Sequence, residues 1–163
     1  MDRLWSPWRY DYVSKSAPAG GCIFCEKAAE RHDEKNYVIH RGSRNFVLLN
    51  IYPYTNGHLM IAPYEHVATM EEAAEETLAE MMLLTREAER RLRAVYRPGG
   101  VNIGMNIGEC AGAGVAGHIH MHVLPRWFGD ANFMTSVGET RVMPEDLRAS
   151  WEKLARAWSG ADR

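Results

Sequence analysis

The alternation of apolar and polar positions divides the chain into short β-favourable runs and two helical stretches. Tyr37–His40 and Asn45–Leu49 favour strand, and Gly42-Ser43 between them suits a hairpin turn. Pro53–Gly57 is a turn cluster. His58–Ala62 follows as a third strand, stopped by Pro63. In Glu71–Tyr96 the residues Leu78, Met81, Met82, Thr85, Ala88, Leu92 and Val95 recur at spacings of three and four, which predicts an amphipathic helix. Glutamates crowd its start and arginines its end, complementing the helix dipole, and Pro98-Gly99-Gly100 stops it. Val101–Ile107 and Ile119–Leu124 read as strands flanking a loop, Glu109–Gly117, and Pro125 closes the second. Pro144–Trp158 is predicted as a second main helix, with Leu147, Trp151, Leu154 and Trp158 as its apolar stripe. Residues 22–31 open a short helix after an irregular arm that contains Trp5 and Trp8. The order β-β-β-α-β-β-α, joined mostly by turns rather than crossover helices, predicts an α+β fold on an antiparallel sheet.

A length of 163 residues predicts a single domain: an arm at 1–21, a core at 22–135 and a C-terminal extension with its helix at 136–163. The net charge of −2 argues against a nucleic-acid partner, which needs a basic surface. It leaves room for a small phosphate ligand, which needs only a local site. No apolar run is long enough to span a membrane, and the N-terminus has no apolar signal region. Three cysteines are too few for a disulfide scaffold, so a reducing, cytoplasmic setting is expected.

Of the seven histidines, three fall in His118-Ile119-His120-Met121-His122-Val123-Leu124. On a strand, alternate side chains share a face, so the three rings would stand about 6.6 Å apart. A neutral imidazole can attack phosphorus, and its neighbours can fix its tautomer and bind phosphate oxygens. The preceding loop, Glu109–Gly117, is rich in glycine and alanine, so a phosphate can approach backbone N–H groups that bind anions without net charge. Alternating histidines also suit zinc or copper.

The chain resembles the histidine-triad family of nucleotide hydrolases and transferases. The resemblance rests on residues 118–124, on Gly57-His58-Leu59-Met60-Ile61-Ala62-Pro63 and on Asn50, eight residues before His58. The segments Leu4–Arg9 and Pro125–Phe133 are similar to the bacterial branch that includes diadenosine tetraphosphate phosphorylases. The resemblance implies a five-stranded antiparallel sheet with two main helices per subunit, joined to a second sheet across a homodimer. It implies that His120 becomes transiently nucleotidylated, that His122 binds the α-phosphate, and that His118 and His58 support them. Leu48 and Asn50 would hold base and ribose, and Asn106 with Ala113, Gly114, Val115 and Ala116 would line the phosphate site. The implied substrate is an adenine nucleotide, either a diadenosine polyphosphate or a nucleoside phosphoramidate. Several family members carry Ser, Thr or Gln just ahead of the triad. Gly112–Gly117 offers neither hydroxyl nor amide side chain, which leaves hydrolysis and phosphorolysis both open.

Cys22-Ile23-Phe24-Cys25 has half-site spacing for zinc, and by itself is a weak signal. In zinc-containing members of the superfamily two cysteines join two histidines. The resemblance places His66 and His118 in those positions, giving a closed, structural zinc site of Cys22, Cys25, His66 and His118, one per chain. Two further readings are a nucleotide-binding module without turnover and a zinc-stabilised interaction module.

Overall fold

The computed structural model describes residues 21–132, 135 and 143–160. Most of the expected arm, with Trp5 and Trp8, lies outside them, as do Phe133 and residues 136–142 of the extension. The elements are α1 (Ile23–Ala29), α2 (Asp33–Asn36), β1 (Val38–Arg41), β2 (Asn45–Leu49), β3 (Leu59–Pro63), α3 (Glu75–Tyr96), β4 (Gly100–Met105), β5 (Met121–Arg126) and α4 (Leu147–Ser159). A 3-10 turn, Glu109–Ala111, follows β4. No helix among the described residues is long and apolar enough to cross a membrane.

The five strands form one sheet in the order β1-β2-β3-β5-β4, and every pairing is antiparallel. Every residue of β2 and β3 is buried, because the sheet is covered on both sides. Val47, Leu49, Leu59, Ile61, Met121 and Val123 face Met81, Ala88 and Leu92 of α3 and Leu154 of α4. Phe46, Leu48, Met60 and Ala62 point the opposite way and meet Phe24 of α1. The period of two thus separates a helix-covered core face from the face that carries the histidines.

Several boundaries differ from the sequence pattern. Helix α3 begins at Glu75, not Glu71. Glu72 instead accepts hydrogen bonds from the backbone N–H groups of Ala68 (2.8 Å) and Thr69 (3.2 Å), holding the approach as a loop. The buried stripe of α3 is Thr77, Met81, Thr85, Ala88 and Leu92, while Met82 is 57% exposed. One residue is about 100° of helical turn, enough to carry Met82 out of the row. Helix α4 begins at Leu147 rather than near Pro144, because Asp146 caps it by accepting from Ala149 N–H at 2.8 Å. Strand β5 runs through Pro125 to Arg126, and β4 spans Gly100–Met105, stopping short of Ile107.

Two turns position the site. In the hairpin between β2 and β3, Asn50 N–H donates to His58 C=O at 2.9 Å. Gly57 sits there at φ +74°, and a Cβ would lie 2.8 Å from Tyr96 Cε2, so both conformation and space demand glycine. In the hairpin between β1 and β2, the Glu80 carboxylate accepts from the backbone N–H groups of Ser43, Arg44 and Asn45 and from the Asn45 side chain, at 2.7–2.9 Å. Partial burial opposes its ionisation, but these four donors together hold its carboxyl below the usual range. A folded-state pKa below the unfolded value stabilises above the unfolded pKa, about 4.3. That contribution is lost as pH falls through the folded pKa. Glu80→Gln is expected to cost about 1–3 kcal/mol in urea unfolding at pH 7, and the gap to wild type is expected to shrink below pH 4.

Candidate active site and metal centre

The triad is not wholly on a strand. His122 lies in β5 opposite Met60 of β3, whereas His118 and His120 precede the ladder. Ile119 N–H donates instead to Val67 C=O at 2.8 Å, which draws this segment against the chain following β3. The His120 and His122 rings therefore do not keep the spacing of about 6.6 Å expected on an ideal strand. His120 and His122 stand 4.8 Å apart, nearly edge to face. All three are buried, as is His58.

Hydrogen-bond partners fix the tautomers, because a carbonyl can only accept and a backbone N–H only donate. His58 Nδ1 accepts from Tyr54 N–H at 3.2 Å and faces the Asn50 amide nitrogen at 3.4 Å. A neutral His58 then carries its proton on Nε2 and donates it to His122 Nδ1 at 2.8 Å. His122 is left with Nε2–H, a donor. His120 donates Nδ1–H to the His118 carbonyl at 2.9 Å, leaving the Nε2 lone pair free. His118 donates Nε2–H to the Pro63 carbonyl at 2.9 Å, leaving its Nδ1 lone pair directed at the cysteines. Burial pushes all three triad pKa values down, His122 to about 4 with His120 beside it adding to the effect. The rings are neutral at pH 7, the form in which one nitrogen can attack and another donate.

The expected binding residues lie on β2, just after it, past the end of β4 and in the loop ahead of the triad. Leu48 is buried on β2 in the cluster against which Val115 packs. Asn50 follows β2, its Oδ1 accepting from Tyr52 N–H at 2.9 Å. Asn106 reaches Gly112 C=O at 3.5 Å, which ties the end of β4 to the loop. Ala113 is buried, and Gly114 and Ala116 are half-buried. No described residue accepts a hydrogen bond from the backbone N–H of Gly114, Val115, Ala116 or Gly117. Four main-chain donors thus lie within six residues of His120.

Two neighbours are not among the expected site residues. Phe24 packs its ring 5.1 Å from His118 and 4.7 Å from His120. The Tyr54 ring lies 4.7 Å from His58 and 6.1 Å from His122. Tyr54 also borders a cleft of about 420 Å³ shared with Asn56, Tyr96, Trp127, Asp130 and Glu145. Of the two histidines without an expected role, His40 stacks on Trp158.

Cys22, Cys25, His66 and His118 bring one ligand atom each within 4.8 Å of one another. Cys22 Sγ is 3.2 Å from His118 Nδ1, and Cys25 Sγ is 3.3 Å from His66 Nδ1 and 3.6 Å from His118 Nδ1. A tetrahedral zinc with ordinary bond lengths separates sulfur from nitrogen by about 3.6 Å, so the four residues fit that ion. The Pro63 carbonyl on His118 Nε2 is the outer contact that orients a ligating imidazole. Burial and then the Cys22 thiol push the Cys25 thiol up, a tendency that a bound cation reverses.

Residues 31–129 match the family model of the HIT domain. The chain is 39% identical to a protein named AP-4-A phosphorylase from Mycobacterium tuberculosis, over 98% of this chain and 85% of that one. It is similar to the crystal structure of a Zn-bound histidine triad family protein from Mycobacterium smegmatis, with a TM-score of 0.71 and 30% identity over 87% of this chain and 96% of the other. A HIT family protein from Bacillus subtilis aligns with a TM-score of 0.62 and 28% identity, over 88% and 97% of the two chains. The family model covers more than half of the chain, and this chain belongs to the HIT family.

Proposed function

We propose that this chain, as one domain over residues 1–163, is an enzyme that cleaves an adenine nucleotide, either a diadenosine polyphosphate or a nucleoside phosphoramidate, at the α-phosphate through a nucleotidyl-His120 intermediate. The observation that carries the reading is the tautomer pattern. Among the triad rings, His120 alone presents a lone pair not engaged by a neighbour, and His122 beside it presents N–H. His120 Nε2 attacks the α-phosphorus. With a diadenosine polyphosphate, the P–N bond forms as the bridging P–O bond breaks, and its electron pair leaves with the departing polyphosphate. His122 Nε2–H and the loop amides meet the phosphate oxygens, preorganised donors where charge develops. The positive charge left on the His120 ring strengthens its Nδ1–H bond to the His118 carbonyl. Phosphate or water then attacks the same phosphorus, an attacking water losing its proton to solvent, and the P–N electron pair returns to His120. Leu48 and Asn50 take base and ribose, and Asn106 supports the loop.

The proposal includes one structural zinc held by Cys22, Cys25, His66 and His118. It also includes a homodimer joined along β4, an edge strand on which Ile103 is 46% exposed. Support for the substrate class comes from the named phosphorylase relative. Diadenosine tetraphosphate supplied with and without inorganic phosphate tests the reading. ADP and ATP formed only with phosphate mark phosphorolysis, and AMP with ATP in its absence marks hydrolysis. Failure to turn over any dinucleotide or phosphoramidate refutes it.

A further inference from the structure

The cluster of cysteines and histidines and the His120 ring share residues as well as a neighbourhood. His118 contributes Nδ1 to the cluster, and its own carbonyl receives the His120 Nδ1–H at 2.9 Å. Phe24 lies between the two cysteines in sequence, is 3% exposed, and rests against both His118 and His120. The ring of His120 is therefore braced from two sides by the backbone and side chains of the cluster's own segments.

Helix α1, which presents Phe24, has seven residues, too few to hold itself in water. Its C-terminal end is tied by Arg41, whose guanidinium donates to the carbonyls of Lys27, Ala28 and Glu30 at 2.7–3.0 Å. At its N-terminal end Cys22 makes no side-chain capping bond, and both cysteines turn to His66 and His118 instead. The ligand cluster is thus the tether for the end that places Phe24.

We infer that Phe24 is a positioning residue. Together with the His118 carbonyl it fixes the plane and tautomer of His120, so that the state of the Cys22-Cys25-His66-His118 cluster sets the rate of nucleotidyl transfer and not only the stability of the fold. The inference rests on His120 as nucleophile and on zinc as the resident ion. The histidine χ2 torsion is broad and roughly two-fold, so an unbraced ring can turn, which puts Cδ2 where Nδ1 stood and breaks the bond to the His118 carbonyl that keeps the proton on Nδ1. A misplacement of about 1 Å in a reacting group costs about a hundredfold in rate.

The test uses the full zinc-loaded chain and Phe24→Leu, which keeps an apolar side chain but loses the flat face. Expected for the variant are zinc content equal to wild type, a KM for diadenosine tetraphosphate within about twofold, and a kcat lower by about ten- to a hundredfold. Nitrogen-15 NMR is expected to give one His120 tautomer, Nδ1–H, in wild type and a mixture in the variant. Stripping zinc from wild type is expected to produce the same mixture while circular dichroism still reports a folded chain. If stripping unfolds the chain, the Phe24→Leu comparison decides alone. An unchanged kcat and a single tautomer in Phe24→Leu overturn the inference, as does a loss confined to KM, which would make Phe24 a binding residue. If zinc-loaded wild type turns over no dinucleotide, the proposed function fails, and the tautomer readout still judges the coupling on its own.

Discussion

In the His120→Ala chain, cleavage of diadenosine tetraphosphate is expected to fall at least about ten-thousand-fold in kcat, on the scale seen when a covalent nucleophile is removed. No neighbour can take its place. His118 has Nε2 on the Pro63 carbonyl and Nδ1 in the cysteine cluster. His122 has its Nδ1 lone pair occupied by the His58 proton, and its remaining nitrogen carries hydrogen. Truncation also removes the ring that touches Phe24 and His122, whereas the residues proposed to take base and ribose, Leu48 and Asn50, lie on β2 and directly after it. AMP binding, measured by calorimetry, is therefore expected to persist within about threefold, less than 1 kcal/mol. A variant that keeps wild-type turnover would show that the attacking atom lies elsewhere, and loss of AMP binding would show that the ring carries affinity as well as chemistry.

The second large effect is expected from the metal. At free zinc about a thousandfold above the dissociation constant, binding stabilises the fold by about 4 kcal/mol. In a chain of this length that corresponds to about 8–16 °C in Tm. The proposed ligands come from three separate parts of the sequence: Cys22 and Cys25 ahead of β1, His66 after β3, and His118 ahead of β5. An ion that ties all three restrains far more chain than a local turn does. Chelation followed by a thermal melt is expected to lower Tm by that amount, and restored zinc to recover it. Cys25→Ser is expected to melt low with or without zinc. Equal melting temperatures for loaded and stripped protein would show that the four side chains gather without holding an ion.

The strands and the histidine row were legible because their signals are local. The apolar runs at Asn45–Leu49 and His58–Ala62 read as strands without help from elsewhere; the first is observed as read and the second one residue later, at Leu59–Pro63, and both strands are buried on both faces. The start of α3 misled because Glu71 and Glu72 resemble an acidic first turn, whereas Glu72 serves the loop before the helix. The lead-in position of His118 and His120 depends on a hydrogen bond between Ile119 and Val67, two segments whose meeting no periodicity records. The cysteine spacing announced half of a cluster, and the two histidines came from family resemblance rather than pattern. Phe24 was hidden because its contact with His120 crosses 96 positions, and Tyr54 because its hydrogen bond to His58 comes from the main chain. An aromatic between two candidate ligands was the one available clue to Phe24.

The segment from Gly114 to Gly117 has a consequence for how such a protein is studied and how it varies. The groups proposed to bind the anion there are peptide N–H groups, which every residue but proline possesses. Replacing its side chains one at a time with alanine leaves each donor in place, so a conventional scan would report an inert stretch next to the triad. Only a change to the peptide bond itself, such as proline or a backbone ester, deletes a donor. Inheritance would feel the same asymmetry: tolerance of many small residues, intolerance of bulk, and no single letter that marks the site.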